Sequence, residues 1–195
     1  MTREQIMGFD IDAKLSMIIE GDDEILDILV HDKKTIIRCL IAQRGRDKDL
    51  DILVNDSDWT VKCAVVSYGR DKDLDILVND HNYHVRSMVA SKGRNKDLDI
   101  LVNDEHYNVR CIVAKQGRDK DLDILVNDQD EYIRKIIAEI GRDKDLDILV
   151  HDPDWEVRYE VVKNCRDKDL DILVNDTNKY VSRLAAIKIK LKLIR

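Results

Sequence analysis

Residues 69–92 read Gly-Arg-Asp-Lys-Asp-Leu-Asp-Ile-Leu-Val-Asn-Asp-His-Asn-Tyr-His-Val-Arg-Ser-Met-Val-Ala-Ser-Lys. The stretch recurs every 24 residues: Gly21, Gly45, Gly69, Gly93, Gly117 and Gly141 each open a copy, and Cys165 holds the same place in a seventh. From the second copy on, the first half is almost invariant, with Asn95 the one exception in Arg-Asp-Lys-Asp-Leu-Asp-Ile-Leu-Val. A fixed period of this length marks a solenoid or array, whose units bury their apolar sides only by stacking. The expected organisation is an N-terminal cap over 1–20, seven repeats over 21–44, 45–68, 69–92, 93–116, 117–140, 141–164 and 165–188, and a basic C-terminal cap or tail over 189–195.

Each copy carries the signals of two helices. Asp56, Asp80, Asp104, Asp128, Asp152 and Asp176 stand where an N-cap would accept a free N–H of the first turn. Pro153 follows Asp152, at the first helical position, where a missing N–H does no harm. The helix then runs to the glycine, a left-handed C-cap. Asp71 and its equivalents are expected to cap a shorter first helix through Val78, at two turns partly 3₁₀. The predicted fold class is all-α, an α-solenoid of two-helix repeats. Leu50, Ile52, Leu53 and Val54 with Val61, Ala64, Val65 and Tyr68 would form one core layer. Val66 and the small residues equivalent to it, such as Ala42, Ala90 and Ala114, would allow close approach between repeats.

Composition fits that picture and narrows function. Hydrophobic residues make up 44% and charged residues 37% of the 195, enough for a continuous core and a large solvated surface. The net charge of -7 argues against nucleic-acid binding by the chain as a whole. No apolar run approaches a membrane span, the N-terminus carries no signal-peptide h-region, and the expected compartment is the cytoplasm. Four cysteines in a chain of this length suggest no disulfide framework.

The run Leu-Asp-Ile-Leu-Val-Asn-Asp-Ser-Asp-Trp-Thr-Val-Lys (50–62) resembles the leucine-rich repeat variant, a HEAT-like helical repeat family, and His-Asp-Pro-Asp-Trp-Glu-Val-Arg (151–158) is similar to that family's core motif. The resemblance implies a right-handed superhelix of alternating short helices. It says little of function, because such repeats serve many partners. The family's founding type carries a cysteine cluster for an iron–sulfur centre ahead of its repeats; residues 1–20 hold no cysteine, so that feature does not carry over.

Function must lie in what varies. Projected at about 100° per residue, the second helix turns Trp59, Thr60, Cys63 and Ser67 outward, and these positions differ in every copy: Tyr83, His84, Ser87 and Ser91; Tyr107, Asn108, Cys111 and Lys115; Glu131, Tyr132, Lys135 and Glu139; Trp155, Glu156, Tyr159 and Lys163. Exposed aromatics are good interface anchors. Trp59, Tyr83, Tyr107, Tyr132, Trp155 and Tyr159 are therefore the candidate protein-binding residues. The competing readings are drift at unconstrained positions, and rings that seal the gap between repeats.

Two basic series have structural readings. Arg38, Lys62, Arg86, Arg110, Arg134 and Arg158 resemble the arginines of a bonded Asp–Arg ladder between HEAT-like repeats. Arg46, Arg70, Arg94, Arg118, Arg142 and Arg166 could track a phosphate backbone, but each sits among aspartates, and local neutralisation is the simpler account. The same acidic ridge could act in reverse, as a nucleic-acid mimic in a basic partner's groove. Cys39, Cys63 and Cys111 recur too far apart to pair, the five histidines are scattered, and no catalytic motif appears. The expectation is a non-enzymatic, monomeric scaffold with a protein partner and with no metal, cofactor or catalytic residue. Base-excision activity, known in some HEAT-like proteins, has no residue to select it. The tail from Ile187 reads as a cap with its positive charge at a helix C-terminus, the other reading being contact with an acidic membrane or partner.

Overall fold

The computed structural model describes residues 1–164 and 166–193. Among them are sixteen α-helices and no strand. Two helices, α1 (Arg3–Gly8) and α2 (Ile11–Glu20), precede a regular alternation of short and long. The short ones are α3 (Asp23–Leu29), α5 (Asp47–Leu53), α7 (Asp71–Leu77), α9 (Asn95–Leu101), α11 (Asp119–Leu125), α13 (Asp143–Leu149) and α15 (Asp167–Leu173). The long ones are α4 (Thr35–Arg44), α6 (Trp59–Tyr68), α8 (Tyr83–Ser91), α10 (Tyr107–Gln116), α12 (Glu131–Ile140), α14 (Trp155–Lys163) and α16 (Lys179–Leu193). The chain divides into two compact units, Met1–Asp97 and the residues from Leu98 on. In the first, α2, α4, α6 and α8 pack in succession; in the second, α10, α12, α14 and α16 do so.

The short helices are α-helical throughout their seven residues, not partly 3₁₀. α3 is capped by Asp22, which accepts from Glu24 N and Ile25 N, whereas in α5, α7, α11, α13 and α15 the N-cap is the arginine, and Asp71 is the first helical residue rather than the cap. Two carboxylates in that first turn, Asp71 and Asp73, favour the positive helix end. Leu50, Leu53 and Val54 are buried, as their i, i+3, i+4 spacing requires. Ile52, expected in the core, is 43% exposed: about 200° round the helix from Leu50, it points away from that stripe. Asp49, about 40° from Leu53, is carried inward and is 1% exposed.

The long helices start two residues later than the sequence suggested. Asp58 caps α6 by accepting from Thr60 N at 2.9 Å. Asp56 accepts from Asp58 N at 2.8 Å, so it turns the chain ahead of the helix and leaves the cap to the next acidic residue. Pro153 likewise precedes α14, whose cap is Asp154. The glycines end α2, α4, α6, α10 and α12 as left-handed C-caps, with φ between +71° and +79°. Cys165 lies outside the described residues. Ile189 stands where another glycine would fall, and α16 runs on to Leu193.

Val61, Val65 and Val66 are fully buried, as are Ala42, Ala90 and Ala114. Ala64 is half-buried. Tyr68 does not enter the core; 52% exposed, it folds back over Gly45, where an added Cβ would fall 1.7 Å from its Cζ. In the N-terminal segment Ile18 is buried and Ile19 is exposed.

Candidate functional site

The expected ladder between repeats is present. Arg38 donates from Nε and Nη2 to Asp56 at 2.6 and 3.0 Å, and its Nη1 donates to the Asp32 carbonyl at 2.8 Å. Lys62–Asp80, Arg110–Asp128, Arg134–Asp152 and Arg158–Asp176 repeat the pairing at 2.6–2.7 Å. Lys14, 3% exposed and 2.6 Å from Asp32, takes the same part on α2. The sequence reading passed it over, although the interval from Lys14 to Asp32 is that from Arg38 to Asp56. The Arg158 guanidinium holds Asp176 below the usual carboxylate range, against the opposing effect of burial.

The turn arginines are consumed by carboxylates. Arg70 grips the buried Asp73 through Nε and Nη2 at 2.6 and 2.7 Å and reaches back to Asp47 and Asp51 at 2.8 Å. Arg46 and Arg94 do likewise, each with two aspartates of the preceding repeat and one of its own. Arg118, Arg142 and Arg166 follow in the second unit. Each lysine two residues on pairs with the exposed aspartate of the preceding repeat, as in Lys144–Asp123 at 2.6 Å, and this lysine holds Asp123 below the usual range. Local neutralisation is thus the observed state of this ridge.

The outward side of the long helices is open. Trp59, Tyr107, Tyr132 and Trp155 are 38–50% exposed, and Tyr83 and Tyr159 are half-buried. In the first unit, His84 lies against two rings, 4.6 Å from Trp59 in a stacked pair and 4.0 Å from Tyr83. His106 stacks on Tyr107 in the second. One residue assigned to this side lies elsewhere: Cys111 is buried. At the same repeat position Cys39 sits 3.9 Å from Thr60 of the following helix. Burial also pushes the Cys63 thiol up to about 11, which leaves it protonated and unreactive at neutral pH.

Only part of the predicted set converges. Trp155 and Tyr159 meet edge to face at 6.4 Å, and Tyr180 of α16 comes within 5.8 Å of Trp155. The three rings wall a cleft of about 450 Å³ together with Lys135, Glu156, Glu160 and Lys163. Lys135 pairs with Glu156 at 2.6 Å, an interaction that raises the lysine above its ordinary value. Tyr132 does not line the cleft. Tyr180 and Glu160 were missing from the candidate residues. Glu160 carried a readable signal, a carboxylate at a repeat position that is otherwise apolar from Leu40 on.

Among the described residues no cluster of histidine, cysteine or carboxylate side chains could hold a metal ion, and no helix is long and apolar enough to cross a membrane.

No family model and no curated protein matches the chain. Among solved structures, a leucine-rich repeat variant with a novel repetitive structural motif is 26% identical over 95% of this chain and 79% of its own, with a TM-score of 0.83. Computationally designed armadillo repeat proteins for modular peptide recognition align at 13% identity over 96% of this chain and 89% of theirs, with a TM-score of 0.31. The second likeness is too weak to support any inference. The first extends over nearly all of the chain and agrees with the 24-residue motif. By its fold and by its repeat, the chain is a helical repeat protein similar to the leucine-rich repeat variant.

Proposed function

We propose that the chain is a non-enzymatic scaffold that binds a protein partner through the outward side of its long helices. The observation that carries this reading is the aromatic-walled cleft of α12, α14 and α16. Trp155, Tyr159 and Tyr180 come together there without being sealed, and three of the cleft's charged residues, Lys135, Glu156 and Lys163, stand at positions that change from repeat to repeat. A cleft of mostly apolar wall with a few charged groups suits a protruding peptide side chain. Drift alone gives no reason for three rings to converge. The reading that the rings seal gaps between repeats fits Tyr83 and Tyr159 better than Trp59 or Tyr107, which keep over 40% of their surface in water.

Nucleic-acid binding through Arg46, Arg70, Arg94, Arg118, Arg142 and Arg166 has less support. A phosphate would have to displace carboxylates that already hold each guanidinium. The test is affinity capture with the immobilised chain and with a Trp59→Ala, Tyr83→Ala, Tyr107→Ala, Trp155→Ala variant, both checked by circular dichroism. A protein retained by the first and lost by a folded second is the expected result. Equal retention by both, or capture of nucleic acid that disappears at high salt, would refute the proposal.

A further inference from the structure

Glu160 is out of keeping with its repeat position. The equivalent residues of the other long helices are Leu40, Ala64, Met88, Ile112, Ile136 and Leu184, yet Glu160 is only 7% exposed. A carboxylate so placed is costly unless it is compensated. Lys163 supplies that compensation, its Nζ 2.7 and 2.8 Å from the two carboxylate oxygens. The lysine side chain is itself half in water, at 51% exposure. A buried acid held by a long, exposed, flexible cation is a pair whose cationic member can be exchanged.

We propose that the cleft takes an arginine side chain of a protein partner, with Glu160 accepting the guanidinium and Trp155, Tyr159 and Tyr180 enclosing it. The proposal rests on the reading of this side as a protein-binding surface, and it names the chemistry recognised there. The rings present π faces that attract cations; the Lys179 ammonium already lies 5.1 Å from the centre of the Tyr180 ring. A guanidinium is planar, stacks on aromatic faces and can grip one carboxylate with two parallel N–H bonds. The Lys163 ammonium is a compact, strongly hydrated point charge that returns to water at small cost. Arginine is therefore favoured over lysine as the incoming group. Lys135 remains with Glu156 at the rim and keeps a second cation from being drawn in.

The test uses the full chain with Trp59→Phe, which leaves Trp155 as its single tryptophan. The probes are the capped tripeptides Gly-Arg-Gly, Gly-Lys-Gly and Gly-citrulline-Gly, and the readout is Trp155 emission. The expected result is saturable binding of the arginine peptide, at least tenfold weaker for the citrulline peptide and weaker for the lysine one. Glu160→Gln should lower the arginine affinity tenfold or more, and Lys163→Met should raise it several-fold by removing the resident competitor. Equal binding of arginine and citrulline peptides, absence of saturable binding, or indifference to Glu160→Gln would overturn the proposal. If Glu160→Gln does not fold, the Lys163→Met arm decides, and no gain in affinity overturns it. A captured protein lost with Trp155→Ala but retained with Glu160→Gln would remove the arginine assignment and leave the protein-binding reading standing.

Discussion

Asp145 is 1% exposed, and its two carboxylate oxygens accept from Nε and Nη2 of Arg142 at 2.6 and 2.8 Å. The same guanidinium reaches Asp119 at 2.9 Å and Asp123 at 2.8 Å in the preceding repeat. One side chain thus compensates a buried charge and ties α13 to α11. Removing the arginine leaves the buried Asp145 carboxylate without its partner. Arg142→Met should cost about 3–5 kcal/mol in urea unfolding. Arg142→Met with Asp145→Leu should cost clearly less, because neither charge is stranded. A double variant as unstable as the single one would show that the pair does not act as a compensated unit.

The glycines separate two costs. Gly117 has φ +73° and nothing within 4 Å of an added Cβ, so Gly117→Ala meets only the left-handed backbone penalty, about 1–2 kcal/mol. At Gly45, with φ +71°, the same methyl would also collide with the Tyr68 ring. Gly45→Ala should lower the melting temperature further than Gly117→Ala. Adding Tyr68→Ala should abolish the excess.

Acid should unfold the chain over a defined window. Asp176 is held low by Arg158 against burial, and Asp99, Asp123 and Asp147 are held low chiefly by Lys120, Lys144 and Lys168. Their folded values lie below the unfolded one, about 3.9. Their contribution is therefore complete above about pH 4 and is lost as pH falls through the folded values. Thermal melts followed by circular dichroism should show no loss from these groups between about pH 5 and 8 and a steep loss below about pH 4. With Arg158→Met, burial acts on Asp176 without its counterweight, and the acid onset should move to higher pH. A wild-type transition near neutrality would contradict this account.

Much of the fold was legible because the period alone fixes it. A 24-residue repeat opened by glycine in six of its seven copies leaves few alternatives to stacked helix pairs. The errors have local causes. Asp56 and Asp58 both qualify as caps by type, and only the structure shows the first one occupied by Arg38 and by the turn. The apolar residues of the run Leu-Asp-Ile-Leu-Val read alike as core, whereas a helix buries Leu122 and Leu125 and turns Ile124 out at 48% exposure. Leu122→Ala should accordingly cost about 2–5 kcal/mol, and Ile124→Ala about 0.5 kcal/mol or less. Denaturant midpoints of the two variants check the difference. At the site, the aromatic residues of α14 were readable as outward. Their meeting with Tyr180 was not, because it depends on how α14 and α16 pack.

The central claim is a division of labour: the invariant half of each repeat holds the fold, and the changing half binds. It is tested most directly by measuring stability and partner retention together in two variants. One is Trp155→Ala with Tyr159→Ala and Tyr180→Ala; the other is Arg142→Lys, which lacks the fork that holds Asp145. The account predicts that the first melts close to wild type and retains no partner, while the second melts lower and retains it. A first variant that unfolds, or a second that loses the partner while fully folded, would contradict it.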